Sequence, residues 1–197
     1  MKKQGIMVLR CVVILAAILV FFAGRETSRD LAGEALPLEL DVFRTEDGVY
    51  QYGGWAWDSA MEKVMAGLPC TMRSVDIGAG ENRRYYVSEE MFSLDGQESA
   101  LRMEFTENRL SEVRFEFQLA GDGGEWFEAQ AEKLAALYGE ESRKREPGEG
   151  SGTAGVTAET ARRESRVYCW EGGNTMLQFL LMSGEETRIA VLGVVRL

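Results

Sequence analysis

Apolar and charged residues alternate along two neighbouring stretches of the chain. In EVRFEFQL, Val113, Phe115, Phe117 and Leu119 fall on one parity, and Arg114, Glu116 and Gln118 on the other. ALRMEF repeats the pattern, with Leu101, Met103 and Phe105 against Arg102 and Glu104. Period two is the period of a strand. The intervening TENR, whose Asn108 tolerates the left-handed conformation of a tight turn, predicts an antiparallel hairpin. More broadly, residues 71–120 read as antiparallel strands. One apolar and one charged face predict a sheet covered on one side, with the charged residues as a solvated face. Earlier, Leu38, Leu40 and Val42 alternate and VYQYGG follows, predicting one or two short strands over residues 38–53.

Two helices are expected. Ser59 and Glu62 form a capping-box pattern ahead of an apolar stripe of Ala60, Met61, Val64 and Met65, with Gly67 suited to the helix end and Pro69 blocking continuation. Such a helix of about seven residues is too short to stand alone and must pack on something. A second, about Glu125–Tyr138, carries Phe127, Ala131, Leu134 and Tyr138 on one stripe, with Leu137 beside it and Gly139 at its end. The chain closes with RVYCW, TMLQFLLM and TRIAVLGVVRL, separated by EGGN and SGEE. These read as a three-strand meander. Because both faces of the last two are largely apolar, they are expected at the centre of the sheet or beneath a cover. Between helix and meander, residues 140–165 are almost devoid of apolar side chains and read as a long flexible loop with basic spots at RKRE and ARRES.

The N-terminus has a different pattern. From Ile6 to Gly24 only Arg10 is charged, and Lys2 and Lys3 precede the run. A helix of that length rises ~28 Å, close to the ~30 Å hydrocarbon core of a bilayer. The leading positive charges place the N-terminus inside the cell and the rest outside. Bulky Phe21 and Phe22 occupy the positions a small-x-small cleavage pattern needs near the end of the run. That favours an uncleaved single-pass anchor at the cell membrane over a cleaved signal peptide and a secreted protein. The predicted organisation is therefore a signal anchor or signal peptide over 1–24, a polar stalk over 25–37, and one domain over 38–197. The fold class expected is α+β: an antiparallel sheet with two helices packed on one face, plus the N-terminal transmembrane or signal helix.

Charge and composition narrow the chemistry. The net charge is −10, and residues 1–30 carry five basic against two acidic residues, so the remainder carries −13. Such a field repels phosphate backbones, and nucleic acid is not an expected partner. Of 197 residues none is histidine, which removes Ser-His-Asp, Cys-His and every His-ligated metal constellation. No catalytic residue, cofactor-binding motif or metal-ligand set stands out. Glu89, Glu90 and Asp122 are no more distinctive than the other acids for a carboxylate-dependent hydrolase such as a glycoside-cleaving enzyme. The acidic turns DGQE and DGGE lack calcium-loop spacing. Cys70 and Cys169, 99 positions apart, form either one disulfide, which export permits, or two separate buried thiols.

The aromatic residues are the remaining candidates. Trp55 and Trp57 in GWAWDS share parity on an extended approach to the first helix, and Trp126 flanks the stripe of the second. All three are candidate partner contacts. One of the first two is expected beneath the helix, leaving Trp55 as the better surface candidate.

The helix-strand order and the segment Ser59, Val64, Gly67, Pro69 resemble the small α+β modules of the BamE (SmpA/OmlA) family and of β-lactamase inhibitory protein. Asp58 stands where that pattern has glycine, the Val-to-Gly interval is shorter, and the lipid-bearing cysteine is absent. LAALYGEE followed by YCW is similar to exported Gram-positive proteins of unknown function. The resemblance implies a binding or scaffold module with a protein or envelope partner, held to the membrane through residues 6–24, and no catalytic residues to transfer.

Overall fold

The computed structural model describes residues 34–76, 82–121, 123–141, 143–145, 165–183 and 188–197. Among them the chain is mostly β. Nine strands form one sheet: β1 (Leu36–Pro37), β2 (Met72–Val75), β3 (Arg83–Leu94), β4 (Gln97–Thr106), β5 (Arg109–Leu119), β6 (Arg143–Arg145), β7 (Ser165–Gly172), β8 (Thr175–Ser183) and β9 (Arg188–Arg196). The helices are α1 (Met61–Ala66) and α2 (Gly124–Tyr138), with a 3-10 turn at Leu40–Phe43.

The strand order is β1-β3-β4-β5-β9-β8-β7-β6, and β2 also pairs with β3. All pairings are antiparallel except the two-residue β1–β3 contact. A meander β3-β4-β5 runs from one edge to the centre. Helix α2 then carries the chain to the far edge, and β6-β7-β8-β9 returns so that β9 closes against β5. The β4–β5 hairpin turns through Glu107 and Asn108, both at positive φ (53° and 63°), as a tight two-residue turn requires.

The inner face is built by the predicted alternation. Phe92, Leu101, Met103, Phe115 and Phe117 line one half, and Trp170, Leu177, Phe179, Leu192 and Val194 the other. Helix α2 covers the second half, stacking Phe127 on Phe179 with ring centroids 4.3 Å apart. Its last turn is tied down by Tyr138, whose hydroxyl donates to the Leu40 carbonyl and accepts from the Phe43 N–H. On the other side, Glu128 accepts from Arg166 and Tyr168 of β7, both at 2.7 Å.

The expected α+β class, with two helices packed on one face, is overturned. Helix α1 has six residues and buries only Val64. The first half of the sheet is covered instead by irregular chain, with Phe43 and Tyr52 set against Phe115. The expected strand around Leu38–Val42 is replaced in part by the 3-10 turn. Three residues per turn bring Leu40 and Phe43 onto the core side together and leave Val42 outside. The N-terminal transmembrane or signal helix lies outside the described residues, and among those that are described no helix is long and apolar enough to cross a membrane.

The capping box is also not used. Ala60, not Ser59, is the N-cap of α1, and no side chain caps it. Ser59 and Met61 are bound to the β4–β5 turn instead: the Leu110 N–H donates to the Ser59 carbonyl at 3.0 Å, and the Met61 N–H to the Asn108 carbonyl at 2.9 Å. That backbone bridge satisfies a donor the cap was expected to serve. Within the expected loop over 140–165, Arg143–Arg145 form the edge strand β6 on β7; residues 146–164 lie outside the described residues. β8 and β9 sit inside the sheet, as their two apolar faces required.

Candidate functional site on the outer face of the sheet

The face opposite α2 carries the charged residues of the alternation. Register places Arg102 directly across from Arg114, and Glu104 directly across from Glu112. Like charges face like, an arrangement that destabilises a strand pair unless neighbours compensate. Compensation runs along and diagonally between the strands. Arg114 reaches Glu112 and Glu116 on its own strand, at 3.1 Å each. Glu116 also takes Arg102 at 2.6 Å. Arg83, from β3, grips Glu104 with two hydrogen bonds of 2.8 and 2.7 Å. Three arginines and three glutamates are thus paired in two adjoining groups, Arg83 with Glu104, and Arg102 and Arg114 with Glu112 and Glu116, a network whose formal charges sum to zero.

This network is not the solvated face expected from the alternation. The Arg114 side chain is only 7% exposed, and those of Glu112 and Glu116 are 14% and 15% exposed. Burial pushes the Glu112 carboxyl above its ordinary 4.5; Arg114 opposes the shift and Glu104 adds to it. Burial also disfavours the charge on Arg114, but Glu112, Glu116 and Glu104 together outweigh it and raise its pKa. Beside them the Tyr85 hydroxyl is pushed up, first by burial and then by Glu104, so it stays a neutral phenol. A shallow depression lies between Tyr85, Val87, Arg102, Glu104, Glu112 and Arg114. Opposite Arg114, Gly193 has no side chain for a reason: a Cβ there would lie 3.2 Å from that of Arg114.

Farther along the same face the charges give way to a second apolar cluster, Ile189 and Val191 with Leu180 and Met182 against them. These come from β8 and β9, the strands whose sequences are apolar on both parities. The face therefore divides into a charged half and an apolar half. Groups of acids or cysteines suited to a metal are absent among the described residues.

The sequence-derived candidates lie elsewhere. Trp55, Trp57 and Trp126 are all half-buried and packed against the main core. Trp57 donates its indole N–H to the Tyr50 carbonyl at 2.8 Å. Trp126 lies on Phe117 and Phe179, at 5.1 and 6.2 Å between ring centroids. Trp55 lies beside Tyr52 and is wedged between two glycines: a Cβ on Gly53 would fall 2.0 Å from its ring, and one on Gly67 3.2 Å from its indole nitrogen. Gly67 has φ −100°, so its role is not a left-handed helix end; it leaves room for an indole. Gly67→Ala is accordingly expected to destabilise the fold by about 1 kcal/mol by overpacking, although alanine is the better helix former. In a Trp55→Ala background the same substitution should become neutral or stabilising. Thermal melting of the four proteins checks this, and a stabilised single variant contradicts the wedge.

Asp58, at the position where the resembling pattern has glycine, adopts φ 65°. Its carboxylate pairs with Arg196 and its carbonyl accepts from Arg109. Cys70 and Cys169 are not joined in a disulfide. They lie on different sides of the sheet: Cys70 packs against the main core, whereas Cys169 alternates with the inward Tyr168 and Trp170. Burial, helped by Glu90, pushes the Cys70 thiol up to about 11, which leaves it protonated and a poor nucleophile at neutral pH.

Compared with protein-family models, curated proteins and solved structures, the chain matches none.

Proposed function

We propose that this chain is an extracytoplasmic binding or scaffold module, anchored in the cell membrane through residues 6–24, that meets a protein or envelope partner with the outer face of its sheet. The observation that carries the reading is the second apolar cluster, Leu180, Met182, Ile189 and Val191, on the face that α2 does not cover. Ile189 and Val191 are buried, and Leu180 and Met182, half-buried, are what the cluster offers to a partner beside the ionic network. The basic leader ahead of an apolar run supports the orientation. The enclosed acids are already held by arginines, which favours binding over a carboxylate-dependent hydrolase.

A photo-crosslinking residue at Leu180 tests the surface in cells, with one at Glu132 on α2 as the control. Adducts of larger mass from position 180 alone are the expected result. No adduct from 180, or equal adducts from both, contradicts the reading. Protease digestion of spheroplasts checks the orientation separately, since a domain protected until lysis would place it inside.

A further inference from the structure

We propose that Glu112, set across the strands from Glu104, is a proton-binding site, so that its protonation gives the outer face of this sheet one net positive charge. The register sets these two residues directly opposite one another, with side chains on the same face, and both are largely withdrawn from water, with side-chain exposures of 9% and 14%. Neighbouring carboxylates in such a position resist joint ionisation. They are not held equally. Glu104 receives two hydrogen bonds from Arg83. Glu112 has a single contact of 3.1 Å with Arg114, a residue that also serves Glu116. The proton therefore goes to Glu112.

The charged and titratable groups facing this pair are Arg83 and Tyr85 from β3, Arg102 from β4, and Arg114 and Glu116 from β5. From β9 and β8 come Val195, Gly193, Met176 and Gln178, none of which titrates. β8 and β9 add no cation; Arg114 and, after it, Arg83 favour ionised Glu112, and burial together with Glu104 outweighs them. With Glu112 neutral, Arg114 still has Glu116 and Arg83 still has Glu104. The network keeps its geometry while its sum changes from zero to plus one. This inference does not depend on the proposed partner.

Carboxyl carbon NMR of the full chain, labelled at glutamate and titrated with pH, tests it. One glutamate is expected to titrate clearly above the ordinary range near 4.3, and its signal should be missing in Glu112→Gln. In Glu104→Gln, which removes the opposing charge and frees Arg83, the same signal should move down by about one pH unit. The proposal is overturned if every glutamate of the wild type titrates in the ordinary range. It is equally overturned if the raised signal survives in Glu112→Gln, or if it stays in place in Glu104→Gln.

Discussion

Arg114→Met is expected to lower folding stability by about 3–5 kcal/mol at neutral pH, the range for removing one partner from a buried ion pair. Among the described residues, Arg114 is the one arginine ion-paired with Glu112 and one of two paired with Glu116. Methionine keeps the length of the side chain and its packing but leaves Glu112 as a sequestered charge without its counter-ion. The effect should depend on pH in a definite direction. The Glu112 pKa is raised in the fold, so between the ordinary 4.5 and the raised value the native state holds more protons than the unfolded one. This group therefore favours folding increasingly as pH falls through the raised value, and that contribution is lost as pH rises through it. Removing Arg114 takes away the one influence that most opposes the shift, so the window extends upward in the variant. Urea denaturation at pH 7 and pH 5 should show the deficit shrinking on acidification. A constant deficit would place the loss in packing instead. Adding Glu112→Met and Glu116→Leu to the variant should recover much of the stability, because a well-packed apolar replacement for a buried ionic cluster is often neutral or better.

The network shows what the sequence revealed and what it withheld. The alternation in ALRMEF and EVRFEFQL identified both strands, their hairpin and their inner faces, because side-chain parity is a local property of the chain. Whether Arg102 faces a glutamate or another arginine is a property of register, and register belongs to two strands at once. Here the two-residue turn at Glu107 and Asn108, followed by an irregularity between Glu104 and Phe105, sets like opposite like. No periodicity within one strand reports this. The same limit explains the first helix. Ser59-x-x-Glu62 is a sound capping box on local grounds, but the Asn108 and Leu110 backbone, distant in sequence, claims the residues around it. Gly67 was legible as the end of a helix, yet its real constraint is the indole of Trp55, twelve positions away. Trp55 and Trp57 themselves, candidates for contact with a partner, are half-buried because irregular chain, rather than a second helix, covers half of the sheet. The apolar character of both parities in β8 and β9, by contrast, is local, and it correctly placed them inside the sheet.

Phe115→Ala should be comparably damaging, at about 3–5 kcal/mol, for the opposite physical reason. Phe115 is fully buried. Its ring meets those of Phe43, Tyr52 and Phe92 edge-on, with centroids 6.0, 5.1 and 5.2 Å away. The register flanks it with Leu101 and Leu192, also fully buried. Collapse into the vacated space would need the 3-10 turn, the following loop and strand β3 to move toward one another, and β3 is held in the sheet. The cavity is therefore expected to remain largely open, which puts the cost toward the upper end of the range. Val42→Ala is the matched control. It lies in the same covering segment but is 38% exposed, and its change should stay within about 0.5 kcal/mol. Phe115→Leu, which refills part of the volume, should cost less than half as much as alanine. Tyr52 supplies a second readout, because its ring touches both Phe115 and Trp55. If Phe115 anchors the irregular cover, the alanine variant should also shift tryptophan emission to longer wavelength under native conditions. A loss of less than about 1 kcal/mol with unchanged emission would mean that α2 and the strands stabilise the sheet without the segment over Phe115.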